Sequence, residues 1–295
     1  MNETPFSYVD ADTPLARRLL IRALERLTGA RAVEKLYLQN RRDMRTGEDW
    51  WSASLRTLDV RLHFDASALE SAPREGPLVI VSNHPFGVLD GIALASLVHK
   101  VRRDYLVLTN AVLLRAPEIR DHVLPVDFDP TPEALKTNVE SRAKARAHLA
   151  KGGALIIFPA GQVSTSPDRL GRAPAVDLRW PPFVAQLVEK ARASVLPVRF
   201  EGQNSRLFQI VSHIHPLLRL ALFFHELRRH IGKDVRVVIG DIVAFDDLPK
   251  FENRQALADH LQHITQDLRD NPLPSGEGGL GEKPLAGVRG SRRLQ

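Results

Sequence analysis

A histidine and an aspartate six positions apart are the strongest candidates for chemistry in this chain. The segment 82–91 reads SNHPFGVLDG, so that His84 directly follows an apolar run at 78–81 and Asp90 stands near the start of a helical pattern. A carboxylate that accepts the Nδ1 proton of a histidine fixes the tautomer of the ring and leaves Nε2 free as a base. Such a base takes a proton from an attacking hydroxyl, an effect worth roughly 10²–10⁴-fold in rate. The pair predicts general-base catalysis; the alternative is that His84 caps a helix or satisfies a turn.

Two further polar loops follow apolar runs. The run at 154–158 leads into FPAGQVST at 158–165, and the run at 195–200 leads into EGQNS at 201–205. Proline restricts the backbone and glycine permits close approach, so the amides and hydroxyls of these loops can hold a polar group of a ligand. Either loop alone is typical of an ordinary turn at the end of a strand. Three such loops at strand ends predict one shared site.

The elements that must position these loops are predicted from hydrophobic patterns. Alternation at 58–64 indicates a half-buried strand, and short apolar runs predict buried strands at 78–81, 105–108, 123–126, 154–158, 195–200 and 235–239. Helical patterns lie near 32–42, 91–99, 132–150, 180–192, 216–230 and 252–269. Buried strands that alternate with helices predict an α/β fold with a largely parallel central sheet flanked by helices. In such sheets, ligands bind beyond the carboxyl ends of the strands.

The predicted organisation has three parts. Residues 1–50 form an N-terminal amphipathic helical segment, in which Thr13 caps a helix with an apolar face and an arginine face. That helix either packs on the core or lies at a lipid interface. Residues 51–270 form the α/β domain, and the composition of 271–295 predicts a disordered basic tail. The apolar face of the helix at 216–230 likewise has two interpretations, core packing or contact with an acyl chain.

Composition and motifs exclude several classes of function. The chain has no cysteine, which excludes disulfides, thiolate catalysis and cysteine-ligated metals. No serine stands in a G-x-S-x-G elbow, and the spacing of the histidines from 213 to 230 matches no metal site, so we expect no metal. The formal charge of +6 favours anionic partners, but the few aromatic residues argue against nucleic acid. Without a signal peptide or a spanning segment, we expect a cytoplasmic protein, peripheral on the membrane.

The order of these segments resembles the PlsC-type lysophospholipid (glycerolipid) acyltransferase family. The resemblance rests on NHPFG with its downstream aspartate, on FPxG at 158–161 and on LPV at 196–198, and it covers residues 76–205. The first segment is most similar to the bacterial hemolysin-like branch of the family.

The resemblance implies a lipid-metabolic enzyme of the glycerolipid acyltransferase fold, acting at the inner membrane surface. It implies transfer of a fatty acyl group from acyl-CoA or acyl-carrier protein to a hydroxyl of a lysolipid, without a covalent intermediate or a cofactor. The carried-over catalytic residues are the base His84 and its partner Asp90. The expected substrate-binding residues are Asn83, Pro85, Phe86, Gly87, Phe158, Pro159, Gly161, Gln162, Ser164, Pro197, Arg199, Glu201, Gly202 and Asn204.

Three departures from the family pattern bear on the acceptor. Five residues separate His84 from Asp90 where four are usual, and Ala160 stands where a glutamate is usual. Arg115 is the one candidate for the arginine that binds the acceptor phosphate. The acceptor can therefore be a lysophospholipid or a lyso-amino-acid lipid such as an ornithine or glycine lipid precursor. The alternative from another class is a non-catalytic lipid-binding protein that keeps the fold.

Overall fold

Strands and helices alternate through residues 29–270, the part of the chain that the computed structural model describes. The strands are β1 (Arg61–His63), β2 (Leu78–Ser82), β3 (Tyr105–Asn110), β4 (Val123–Val126), β5 (Ala154–Ile157), β6 (Ser194–Phe200) and β7 (Asp234–Ile239). The helices are α1 (Ala30–Asp43), α2 (Trp50–Thr57), α3 (Ala66–Glu70), α4 (Val88–Val101), α5 (Pro132–Ala150), α6 (Phe183–Ala191), α7 (Arg206–Ser212), α8 (Pro216–Arg229) and α9 (Arg254–Asp267). Short 3₁₀ turns occupy Ala111–Arg115, Pro117–His122, Phe245–Asp247 and Leu268–Asp270.

Each of these strands coincides with a predicted apolar or alternating run. The patterns did not predict α2, α3 and α7, which are short. The helix expected after Thr13 and the tail at 271–295 lie outside the described residues.

The strands form one sheet in the order β1-β7-β6-β2-β5-β3-β4. All neighbouring pairs are parallel except β6 and β7, which pair antiparallel. This arrangement confirms the predicted α/β fold with a largely parallel central sheet. β2 lies in the middle, between β5 and β6, so the residues that follow it emerge at the centre of the carboxyl edge of the sheet.

Two apolar layers enclose the sheet, and β2 contributes to both. Leu78 and Ile80 face the layer that includes side chains of α1, α2, α4 and α8. Val79 and Val81 face the other layer, with side chains of α5, α6 and α9. Burial on both faces explains why β2 appears in the sequence as a continuous apolar run rather than as an alternating one.

Asn83 extends the pairing of β2 and β6 beyond the last strand residue. Its Nδ2 donates to the carbonyl oxygen of Phe200 at 2.9 Å, and the amide of Phe200 donates to its Oδ1 at 2.7 Å. The buried side chain thus replaces one backbone step of the sheet. The residue that follows, His84, is held at the edge of the sheet.

The opposite, amino edge of the sheet is fixed by Arg102. The guanidinium is buried, pairs with the carboxylate of Asp104 at 2.6 Å, and donates to the carbonyl oxygens of Pro73, Gly76 and Gly152. One side chain therefore joins the loops that adjoin β2, β3 and β5. No helix in this part of the chain combines the length and the apolar character that a bilayer crossing requires.

Candidate active site

His84 and Asp90 lie together at the carboxyl edge, as the sequence predicts. The Nδ1 atom of His84 is 2.9 Å from Oδ2 of Asp90, although the Nδ1–H bond is not directed along this line. The same Oδ2 accepts hydrogen bonds from the amides of Phe86 and Gly87 at 2.8 and 2.9 Å. Gly87 has a φ of 80°, and the turn it forms brings both amides onto the carboxylate at the start of α4.

The carboxylate of Asp90 is completely buried, and burial is the largest influence on its proton affinity. Burial raises the pKa of Asp90, while the adjacent imidazole of His84 and the hydrogen bonds from the amides of Phe86 and Gly87 act in the opposite direction. Its Oδ1 is also buried and has no hydrogen-bond partner within residues 29–270. Because donors converge on Oδ2 alone, we expect this oxygen to act as the acceptor that orients the imidazole.

The ring of His84 is positioned by Phe158, the first residue after β5. The two rings stack with centroids 4.3 Å apart and planes inclined by 27°. The side chain of His84 keeps 20% of its surface exposed, whereas Asp90 keeps none. No described residue hydrogen-bonds to Nε2, so this nitrogen is available to a hydroxyl that enters from solvent.

The backbone of His84 is held by Ser164 and Asp177. The amide of Ser164 donates to the carbonyl oxygen of His84 at 2.8 Å, and the amide of His84 donates to Oδ1 of Asp177 at 3.3 Å. The hydroxyl of Ser164 donates to the same Oδ1 at 2.5 Å, and the indole of Trp180 donates to Oδ2 at 3.1 Å. The hydroxyl expected to bind substrate is therefore engaged inside the protein.

Sequence reasoning missed Asp177. It lies in an irregular segment between β5 and α6, where no periodic pattern marks it. A signal existed in Trp180, because a buried indole N–H requires an acceptor and an aspartate three positions earlier can supply one.

The loop after β5 has a buried beginning and an exposed tip. Phe158 and Pro159 are buried, whereas Gly161 and Gln162 are exposed. Gly161 has a φ of 68°, and its amide closes a turn onto the carbonyl oxygen of Phe158. The exposed tip can contact a ligand, which is the role predicted for Gly161 and Gln162.

The residues around Phe86 link the first and third loops. Pro85 is buried, as is Phe86, whose ring lies against Gly202. A Cβ atom at Gly202 would come within 2.8 Å of this ring, so only glycine fits the contact. Asn204 is almost fully buried, and neither atom of its side-chain amide has a partner among the described residues. Gly202 therefore packs against the turn at residues 84–87.

Three other residues expected to bind substrate lie on β6 or directly after it, and two of them are engaged within the protein. Pro197 is buried within the strand, and its carbonyl oxygen accepts from the amide of Gly240. Glu201 pairs with Arg236 at 3.3 Å. Burial lowers the pKa of Arg199, whose buried Nε has no partner within residues 29–270. The structure does not bring Pro197 or Glu201 into contact with His84.

Helix α8 lies across the turn at residues 84–87. A Cβ atom at Gly87 would be 3.2 Å from both the ring of Phe223 and the side chain of Val163. The guanidinium of Arg219, one turn earlier on α8, donates to the carbonyl oxygen of Val163 at 2.6 Å and to Oε1 of Gln162 at 3.1 Å. The sequence predicted the helix but not the contribution of Arg219 to the site.

The two interpretations of the apolar face of α8 can be compared with its contacts. Phe224 and Leu227 belong to the core, while Phe223 faces the turn at Gly87. Core packing is therefore confirmed for part of the face.

Comparison with known proteins places this geometry in a family. The model of a family described as "Acyltransferase" matches residues 13–250. A lyso-glycine lipid O-acyltransferase of Phocaeicola vulgatus is 26% identical over 235 residues, which cover 76% of this chain and 79% of the relative. A protein of the same name from Bacteroides thetaiotaomicron is 24% identical over 246 residues, covering 79% and 84% respectively. A solved structure, the 1-acyl-sn-glycerophosphate acyltransferase PlsC of Thermotoga maritima, is 15% identical with a TM-score of 0.47, and the alignment covers 85% of this chain and 96% of that one.

The family match extends over most of the chain and includes the loops at 158–165 and 201–205. It confirms the family that the segments at 82–91 and 158–161 indicate. The chain is an enzyme that belongs to the acyltransferase family.

Proposed function

We propose that this enzyme transfers a fatty acyl group from a thioester to a hydroxyl of a lysolipid, with His84 as the general base. Nε2 of His84 removes the hydroxyl proton as the oxygen attacks the thioester carbonyl. The tetrahedral intermediate then collapses, the C–S bond breaks, and the proton passes to the departing thiolate. The observation that carries this proposal is the pairing of a solvent-accessible imidazole with a fully buried carboxylate at the edge of the sheet.

The proposed reaction passes through a ternary complex of enzyme, donor and acceptor. The chain has no cysteine, and the hydroxyl of Ser164, close to His84, is engaged by Asp177. The chain therefore has no thiol nucleophile, and this hydroxyl is not free to form an acyl-enzyme. The donor is acyl-CoA or acyl-carrier protein, and no metal or cofactor has a role in this scheme.

For the acceptor we propose a lyso-amino-acid lipid rather than lysophosphatidic acid. Both curated relatives are named for a lyso-glycine lipid, and each is aligned over more than three quarters of its length. The departures of the chain from the glycerolipid acyltransferase pattern at Ala160 and in the spacing of His84 and Asp90 fit a different headgroup.

The direct test is a panel of reactions read by mass spectrometry. Purified protein is incubated with acyl-CoA or acyl-carrier protein and with lyso-glycine lipid, lyso-ornithine lipid or lysophosphatidic acid. We expect acylation of the amino-acid lipid, and its loss in His84→Ala with an unchanged circular dichroism spectrum. Asp90→Asn should lose less, because the base remains and only its tautomer and orientation suffer. Turnover that persists in His84→Ala would refute the role of the base. Lipid binding without consumption of any thioester would favour the non-catalytic alternative.

We further propose that the carboxyl edge of the sheet rests on a membrane surface. Large apolar side chains are exposed in the segments that follow the carboxyl ends of β4, β5 and β6, namely Phe128, Leu135, Val139, Leu170, Val176, Leu178, Leu207 and Ile214. Exposed arginines 169, 172 and 206 accompany them, and the chain carries a formal charge of +6. Apolar anchors combined with basic side chains are typical of proteins that lie on anionic lipid.

Vesicle sedimentation tests this surface. The double variant Leu178→Glu/Ile214→Glu should bind vesicles of phosphatidylglycerol and phosphatidylcholine more weakly than the wild type. The matched control Ala66→Glu adds a negative charge at an exposed position near the amino edge and should leave binding unchanged. Equal loss in both would show that charge alone, and not this edge, determines binding.

A further inference from the structure

Arg219 is a half-buried cation without an acidic partner. No carboxylate lies at ion-pair distance from its guanidinium within residues 29–270, and burial lowers the pKa of Arg219 with no opposing influence from an acidic group. Two other arginines that are partly or fully buried do have acidic partners, since Arg56 pairs with Glu48 and Arg102 with Asp104. Burial of an unpaired charge is costly, so such a group is retained where a ligand supplies the countercharge.

The contacts of Arg219 leave part of its hydrogen-bonding capacity unused. Two of its nitrogens donate to the neutral oxygens of Gln162 and Val163, and its guanidinium lies 5.7 Å from the ring centroid of Phe208. A guanidinium carries five N–H donors in a fixed planar arrangement. The donors not used in these two bonds suit the paired oxygens of a carboxylate or a phosphate.

The position of Arg219 connects it to the base through a short series of contacts. Its partner Val163 precedes Ser164, whose amide is bonded to the carbonyl oxygen of His84. Phe223, four residues further along α8, faces Gly87 in the turn at residues 84–87. An anion held by Arg219 would therefore lie beside the loop that is bonded to the main chain of His84.

We propose that Arg219 binds the anionic headgroup of the acceptor lysolipid and thereby selects acidic acceptors. The proposal rests on the proposed function, because it assigns a role within the same site. The anion is the carboxylate of an amino-acid lipid or the phosphate of a lysophospholipid, which share the paired oxygens that a guanidinium recognises. The phosphates of CoA are a poorer match, since the long pantetheine arm separates them from the thioester that reacts near His84.

Steady-state kinetics with Arg219→Gln separates these sources. We expect KM for the preferred anionic acceptor to rise about 10- to 100-fold, the usual effect of losing hydrogen bonds to a charged group. KM for the thioester should not change, and the neutral methyl ester of the glycine lipid should be used equally poorly by variant and wild type. A rise confined to lyso-glycine lipid identifies the carboxylate, and one confined to lysophosphatidic acid identifies the phosphate. Arg219→Lys should recover part of the affinity because it retains the charge.

Two controls keep the test independent of folding and of turnover. Arg228→Gln removes an exposed cation from the same helix and should leave all constants unchanged. Binding of lyso-glycine lipid and of lysophosphatidic acid to His84→Ala and to His84→Ala/Arg219→Gln, measured by calorimetry, needs no catalysis. Weaker binding of either acceptor to the double variant supports the role of Arg219. It does so even if the wild type transfers no acyl group, a result that would count only against the proposed function. Equal binding of both acceptors, an equal loss for the neutral ester, or a rise in the thioester KM would overturn the proposal.

Discussion

At the scale of the residue, Asp90 serves as an acceptor that is shielded from water. One of its oxygens accepts hydrogen bonds from two backbone amides and lies 2.9 Å from Nδ1 of His84. The amides belong to the same turn as His84, so the carboxylate stabilises the turn as well as the orientation of the ring. The conformation of residues 84–90 and the orientation of the imidazole therefore depend on each other.

The raised pKa of Asp90 gives a prediction with a definite sign. The folded chain holds a proton on this group more readily than the unfolded chain, so its contribution to the free energy of unfolding falls as pH rises from the ordinary aspartate pKa through the raised one. Asp90→Asn does not titrate. The free energy of unfolding of Asp90→Asn minus that of the wild type should therefore rise with pH across this window, measured by urea unfolding at a series of pH values.

Asp65 provides a control of opposite sign. Its exposed carboxylate caps α3, and a hydrogen bond from Ser67 lowers the pKa of Asp65. The difference between Asp65→Asn and the wild type should fall as pH rises, because the wild type gains stability when this carboxyl ionises. The same trend for both variants would contradict the assignment for Asp90.

Site residues that lie within one short segment could be predicted from the sequence. Residues that distant segments of the chain bring to the site could not. His84 and Asp90 belong to one ten-residue segment, and a single turn brings them together. Asp177 bonds the main chain of His84, and Arg219 bonds the adjoining loop after β5, each from another segment of the chain. Their roles depend on how α8 and the loop after β5 pack, which no local pattern contains.

At the scale of the element, α8 packs closely against the turn before α4 at Gly87. The φ of Gly87 is 80°, and a Cβ atom there would be 3.2 Å from Phe223 and Val163. Gly47 has the same φ of 80° with nothing within 4 Å. Gly47 therefore provides a comparison that has the same φ without the crowding.

We expect Gly87→Ala to reduce both stability and kcat. The backbone conformation alone should cost about 1–3 kcal/mol of the free energy of unfolding, and crowding against α8 should add to it. Gly47→Ala should show the conformational cost without a loss of kcat. Thermal unfolding and acyl transfer by both variants provide the comparison; a Gly87→Ala enzyme with wild-type kcat would show that α8 does not constrain the turn.

The elements that the sequence predicted are those with a long or continuous hydrophobic pattern. The buried strands have continuous apolar sequences, and the long helices repeat their apolar positions over several turns. By contrast, α2, α3 and α7 contain only five to eight residues, too few for a period to emerge. Their side-chain N-caps, Asp49, Asp65 and Ser205, were the available signal.

At the scale of the whole molecule, the two edges of the sheet have different tasks. The carboxyl edge holds His84 and the loops around it, while the amino edge holds the buried guanidinium of Arg102 with the acidic and carbonyl groups that it joins. The buried sheet separates the two sets of groups. Changes at the amino edge should therefore alter stability without altering the chemistry.

Arg102→Gln tests this separation. The variant removes a buried guanidinium that pairs with the half-exposed Asp104 and donates to three carbonyl oxygens, so the free energy of unfolding should fall by about 1–3 kcal/mol. Well below the unfolding temperature, kcat and KM should stay at wild-type values. Arg61→Gln, which breaks an exposed pair with Asp234, should cost no more than about 1 kcal/mol. A large fall in kcat for folded Arg102→Gln would show that the two edges are coupled.

The attachment of His84 to two separate supports has a consequence for the evolution of such enzymes. Asp90 and Phe158 fix the orientation of the imidazole, while Asp177 and Ser164 anchor its main chain. Substitutions in the segment that carries Asp177 can therefore shift the position of His84 while its contacts with Asp90 and Phe158 are kept. Natural selection can in this way adapt the enzyme to a differently shaped alcohol while its acid–base chemistry is inherited intact.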